Sequence, residues 1–262
     1  MSLNTQCLFA LTTLIALAAN ACSVHSARVA RISSAPLQCA GGLIQNDADL
    51  ARFEGCSAIS GDLTIARSQL EDLQGLEALR SVSGALVIAD NDQLSDLSGL
   101  ERLGSVGSLR VSDNSSLSCM RSLSNLHSAP VVEIRNNPEL VSVHGLEGLS
   151  QVDQLTLLND GLFETAGLAN LRQVGELTVA DNARLISLGG LNGLTRAGSV
   201  QIRNNRVLCA QLGFLPQLGE VGEALVVSSN RSVSQHEVAG LFGHVKGALQ
   251  APSVESRELA LH

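Results

Sequence analysis

Residues 75–94 read GLEALRSVSGALVIADNDQL, and this stretch decides the fold. A pair of aliphatics one residue apart, Leu86 and Ile88, has the period of a short strand with two side chains on one face. Five positions after Leu86 stands Asn91, and three further on comes Leu94. The same phrase recurs along the chain. The strand-like pair returns at Leu63/Ile65, Leu109/Val111, Val132/Ile134, Leu155/Leu157, Leu177/Val179, Val200/Ile202 and Leu225/Val227, with starts 22 to 25 residues apart. The fifth position holds Ser68, Asn91, Asn114, Asn137, Asp160, Asn182, Asn205 and Asn230 in turn. The aliphatic after it is Leu70, Leu94, Leu117, Leu140, Leu162, Leu185, Leu208 and Val233.

One such unit is too small to bury its own apolar face, so the units must stack and share a core. The composition agrees. Of 262 residues 45% are hydrophobic, yet there is no Trp, no Tyr and only five Phe. Many similar aliphatic niches suit repetition better than one irregular core. The asparagine at the bend predicts a ladder of side-chain amides that satisfies backbone groups left unpaired by the turning chain. Glycines recur before the second leucine (Gly75, Gly99, Gly145, Gly167, Gly190) and after the valine (Gly84, Gly107, Gly175, Gly198, Gly222). Both sets are expected at corners with positive φ.

The string Gly-Leu-x-x-Leu-x-x-Val-x-Gly-x-Leu-x-Ile-x-x-Asn-x-x-Leu resembles the receptor L-domain variant of leucine-rich repeats, over about residues 39–233. The resemblance implies a β-rich, right-handed solenoid: a parallel β-sheet stack of about eight 23-residue turns with little helix between strands. Modules of this kind occur in receptor ectodomains, in fungal cell-wall proteins and in bacterial surface lipoproteins. The cysteine-rich and kinase modules of the receptors have no counterpart here, so no signalling role is carried over.

The ends are read separately. Residues 1–21 contain an apolar run, Leu8 to Ala19, that closes on Ala19-Asn20-Ala21 before Cys22. A run this short predicts a signal peptide and export. Cys22 is the candidate lipidation site of a bacterial-type lipoprotein, which gives a possible lipid anchor in a membrane. Residues 22–38 are expected as a flexible tether and 39–61 as an N-terminal cap. In an oxidising compartment Cys39 and Cys56, 17 positions apart, are expected to form a disulfide closing that cap. Cys119 and Cys209 lie four turns apart, near 19 Å, too far to bridge each other, and are expected as buried thiols. Residues 62–233 are the repeats. Ser234-Gln235-His236-Glu237 has the form of a capping box, and predicts a short C-terminal capping helix within 234–249, followed by a mobile tail at 250–262.

No enzymatic chemistry stands out. The six histidines are scattered without metal-ligand spacing, so no metal site and no cofactor are expected, and His127 and His144 are read as solvent-facing corners. With net charge -8 and dispersed basic residues, nucleic acid is not an expected partner. The outward face of the sheet carries Arg110, Glu133 and Arg135 on adjacent turns, with Gln201 and Arg203 further along. These five are the candidate ligand-binding residues, for a protein or glycan of the cell envelope. A structural spacer near 38 Å long, or a β-helix carbohydrate-active enzyme using the charged cluster, are the alternatives. Asn114 and Asn230 match glycosylation sequons, but both stand at the ladder position and are expected to be buried. The expected location is the outer membrane or cell surface if lipidated, and otherwise the periplasm or the exterior.

Overall fold

The apolar pairs do form strands, and they stack in chain order. The computed structural model describes residues 37–209 and 215–246. It contains one nine-stranded sheet in the order β1 to β9, every neighbouring pair parallel. The strands are β1 (Leu37–Ile44), β2 (Cys56–Ala66), β3 (Ser81–Ala89), β4 (Ser105–Ser112), β5 (Val131–Arg135), β6 (Gln151–Leu158), β7 (Gln173–Ala180), β8 (Arg196–Arg203) and β9 (Glu220–Ser228). Helix α1 (Asp47–Ala51) lies between β1 and β2, and α2 (Gln235–His244) follows β9. Three short 3-10 turns, beginning at Arg121, Ala166 and Gly189, replace longer helices on the return limbs.

The register explains why the repeat length is so constant. Leu63, Leu86, Leu109, Val132, Leu155, Leu177, Val200 and Leu225 are successive partners across β2 to β9. Slipping one strand by one residue would turn its apolar pair to solvent, so burial fixes the pairing. Inward leucines, isoleucines and valines form one continuous core from Ile44 to Val238. The leucines of the return limbs, such as Leu97, Leu100 and Leu103, close its other side with no exposed surface.

β1 is a ninth strand, supplied by the segment read from sequence as cap. It begins at Leu37, two residues inside the expected tether. The Cys39–Cys56 disulfide is present, joining β1 to the start of β2 with a Cα separation of 5.9 Å. The signal segment, Cys22, the rest of the tether and the tail at 250–262 lie outside the described residues. Helix α2 starts at the predicted capping box, in which Ser234 and Glu237 satisfy each other's backbone amides. It runs over Gln235–His244, inside the expected 234–249. The chain leaves the helix at Val245, and Lys246 bridges back to Glu220 on β9, which gives the last strand a partner.

Two expectations need correction. Cys119 and Cys209 are buried, but neither is a free thiol; both are disulfide-bonded. Burial favours a half-cystine as readily as a thiol, and the spacing argument bore only on a bond between these two. The glycines also divide differently. Gly75, Gly99 and Gly145 have φ of 127°, 111° and 113°, as corners require. Gly84, Gly107, Gly175 and Gly198 do not have left-handed backbone. They are strand residues, and a Cβ there would strike the backbone of the preceding turn. Gly167 and Gly190 likewise answer to crowding: a Cβ at Gly190 would overlap the Thr165 carbonyl.

Candidate functional site

The outer face of the sheet is two rows of side chains set by the register. One row runs Thr64, Val87, Arg110, Glu133, Thr156, Thr178, Gln201 and Val226. The other runs Ala66, Ala89, Ser112, Arg135, Leu158, Ala180, Arg203 and Ser228. Arg110 on β4 is the direct partner of Glu133 on β5, and Arg135 is two residues along the same strand. The structure therefore brings three of the five sequence candidates together. Glu133 lies between two guanidinium groups, 3.9 Å from Arg110 Nε and 3.3 Å from Arg135 Nη1. All three side chains are partly exposed, so the attraction is screened and contributes under about 1 kcal/mol to stability. Its chemical effect is to hold two Arg forks on one patch of the face.

Gln201 and Arg203 are not part of that patch. They stand on β8, three strands from β5, or roughly 14 Å at the usual strand spacing. Arg203 has its own acidic neighbour, Asp181, at 3.9 Å. Thr156, Thr178, Leu158 and Ala180 occupy the face between the two stations.

Beside the second row runs a feature that the sequence reading missed. The residue just before each ladder position has left-handed backbone: Arg67, Asp90, Asp113, Asn136, Asn159, Asp181, Asn204 and Ser229 all have φ between 54° and 60°. Asp and Asn tolerate this region better than other side chains, and six of the eight are Asp or Asn. That enrichment was the available signal. Where amides neighbour one another they form an outer ladder: Asn136 Nδ2 donates to Asp113 at 2.8 Å, and Asn159 Nδ2 donates to Asn136 at 2.9 Å.

The inner ladder lies directly behind it. Asn91, Asn114, Asn137, Asn182 and Asn205 are fully buried. Each backbone N–H donates to the side chain of the next rung, as from Asn91 to Asn114 Oδ1 at 3.1 Å. Each Nδ2 donates to a strand carbonyl of the turn before, as from Asn114 to Ile88 at 3.0 Å. Ser68 closes one end by donating its hydroxyl to Asn91 Oδ1. The sequons at Asn114 and Asn230 are thus committed to the interior, where both side chains are hydrogen-bonded. Asp160 is the exception in chemistry. Burial pushes its carboxyl up to about 7, against the hydrogen bonds it receives from Asn137, and the Asp113 charge pushes the same way.

Away from the sheet, His144 is half-buried between two carboxylates. Its Nδ1 lies 2.8 Å from Glu147 and its Nε2 lies 3.6 Å from Glu164 on the next turn. Burial acts to raise the Glu147 carboxyl. The hydrogen bonds from His144 and from the Glu147 and Gly145 amides outweigh it and hold the group below the ordinary glutamate value. His127 is exposed at its corner. No group of three His, Cys, Asp or Glu among the described residues is arranged to hold a metal.

Residues 55–151 match the receptor L domain family. That stretch is similar to a receptor L domain, and the nine-stranded parallel stack fits an L-domain-like repeat architecture. The matched stretch runs from just before β2 to the start of β6, and the same parallel register continues beyond it through β9. No curated protein matches the chain. A receptor L domain match suggests a ligand-binding module. The family and the Cys39–Cys56 disulfide together suggest export. No helix of the L-domain-like protein, among its described residues, is long and apolar enough to cross a membrane.

Proposed function

We propose that this chain is a non-catalytic binding module of the cell envelope that recognises a protein or glycan partner through the outer sheet face. The observation that carries the reading is the cluster of Arg110, Glu133 and Arg135, in which one carboxylate holds two guanidinium groups on adjacent strands. Arg forks present several fixed donors to carboxylate, amide or hydroxyl acceptors, and are favoured at interface hot spots. Gln201 and Arg203 supply a second polar station along the same rows. A ligand reaching both would lie across the strands, along the stacking direction. Export would place the face towards other envelope components, and attachment through an acylated Cys22 would further require Cys22 to stay out of the disulfides that hold Cys119 and Cys209.

The test is binding of purified protein to fractionated envelope components, comparing the wild type with Arg110→Ala, Glu133→Ala and Arg135→Ala. Truncating an Arg anchor is expected to weaken binding by about tenfold or more. Unchanged affinity in all three variants, with folding intact, removes the cluster from the proposal. Intact mass after membrane fractionation tests the anchor: a membrane-bound species beginning at Cys22 with acyl mass supports it, and an unacylated soluble species refutes it.

A further inference from the structure

Apart from the Ser68 end rung, the inner ladder has one rung of different chemistry, Asp160, and it stands near the middle of the stack. At three successive rungs the amide Nδ2 donates to a carbonyl 26 residues earlier: Asn91 to Ile65, Asn114 to Ile88 and Asn137 to Val111. The corresponding carbonyl for Asp160 is that of Ile134, on β5. A carboxylate has no N–H to offer there. Asp160 Oδ1 behaves as an amide oxygen would, accepting from the Asn137 backbone at 2.9 Å and from Asn137 Nδ2 at 3.0 Å. Asp160 Oδ2 takes the place of the missing nitrogen. It is buried and has no hydrogen-bond partner.

We infer that Asp160 is a proton-operated rung: with a proton on Oδ2 it donates to the Ile134 carbonyl as an asparagine would, and on losing that proton it leaves the β5–β6 bend unmet. An ionised Oδ2 there faces a carbonyl dipole of the same sign and is shut off from water, so ionisation weakens the junction. The charged groups of the flanking bends are Asp113, Arg135 and Glu139 on one side and Asp181 and Arg184 on the other. Arg135 and Asp181 make their ion pairs on the outer face, with Glu133 and Arg203. Arg184 lies over the Phe163 ring. Glu139 is exposed, and Asp113 repels the carboxylate form. The junction matters beyond the rung itself, because Asn137 Nδ2 also donates to the Arg135 carbonyl at 2.9 Å. The proton on Asp160 therefore bears on the strand end that carries one of the exposed Arg forks.

The experiment is urea unfolding of the full chain and of Asp160→Asn from about pH 4 to about pH 8. Relative to the variant, the wild-type folding constant is expected to fall by up to roughly tenfold per pH unit across that range. The variant, which restores the N–H donor, is expected to be the more stable protein near pH 8. Parallel pH profiles for the two proteins, or a variant less stable near pH 8, overturn the inference. Carbon NMR of the Asp160 carboxyl in the wild type decides the matter should the variant fail to fold. A midpoint near neutrality supports the proton-operated rung, and one at the ordinary aspartate value refutes it.

Discussion

Replacing Asn114 by alanine removes one interior rung, and its cost can be worked from the hydrogen bonds. Asn114 Oδ1 accepts from both the backbone N–H and the Nδ2 of Asn91, while Asn114 Nδ2 donates to the Ile88 carbonyl and to Asn137 Oδ1. Asn137 Oδ1 keeps a donor, because the backbone amide at position 114 still reaches it. Asn91 Nδ2 keeps Ile65. The Asn91 N–H and the Ile88 carbonyl, both buried, lose their side-chain partners outright. At about 1–3 kcal/mol for each group stranded in this way, the variant should lose about 4 kcal/mol. That is a large share of the roughly 5–15 kcal/mol by which domains are stable. Ser68→Ala is the internal comparison: the end rung loses only its hydroxyl bond, and the Ser68 N–H still meets Asn91. It should cost about 1 kcal/mol. Urea unfolding must be followed by far-ultraviolet circular dichroism, since the chain has no Trp or Tyr to fluoresce. Equal midpoints for the two variants would refute the claim that the ladder's interior bonds hold the bends.

Other outcomes follow from the same geometry. The Asp160 carboxyl is raised from 3.8 to about 7 in the folded chain, so its contribution is fully present below about pH 4 and is lost as pH rises through 7. About three units at ~1.4 kcal/mol each give about 4 kcal/mol, readable as a falling calorimetric Tm. Asn114→Asp should copy this behaviour, with stability near that of the alanine variant at pH 8 and largely recovered near pH 4. Gly190→Ala drives a methyl into the Thr165 carbonyl and should cost roughly 3 kcal/mol or more, while Gly240→Ala, in α2 with open space around its Cα, should be neutral or stabilising by thermal unfolding. Replacing Cys39 and Cys56 together by serine should lower stability by about 3 kcal/mol, measured by chemical unfolding under non-reducing conditions.

The fold was legible because burial writes itself into spacing. Leu86 and Ile88 must both face inward, Asn91 must meet the next bend, and the next unit must repeat the geometry, so one 20-residue phrase specified strand, corner and stacking. Conformation without a burial pattern was harder to read. The left-handed row at Asp90, Asp113 and Asn136 is a backbone state of exposed or half-exposed residues, and only their shared Asp/Asn character betrays it. The glycines were assigned to one cause, whereas Gly84 and Gly107 are required by the nearness of the preceding turn, which depends on how strands stack. The Arg110, Glu133 and Arg135 cluster was legible through alternation and repeat length. The separate station at Gln201 and Arg203 was legible too, since three repeats set the roughly 14 Å between Arg135 and Arg203, whereas the Arg203 pairing with Asp181 was not. Asp160 stands in the sequence simply as one carboxyl in a column of amides, and only the structure shows its second oxygen buried without a partner.

The 23-residue offset between the rungs from Ser68 to Asp160 has one more consequence. Asn91 to Asp113 is one whole repeat, beginning at a rung and ending just before the next. Excising it would join Asp90 to Asn114, and Ser68 would then meet Asn114 as it now meets Asn91. Ile65 would receive the same amide, and Leu86 to Ala89 would lie against Arg110's former partners on β5. Every junction would be of a kind the molecule already contains. A chain built this way can be lengthened or shortened by whole units without redesign, and its length becomes a matter of copy number.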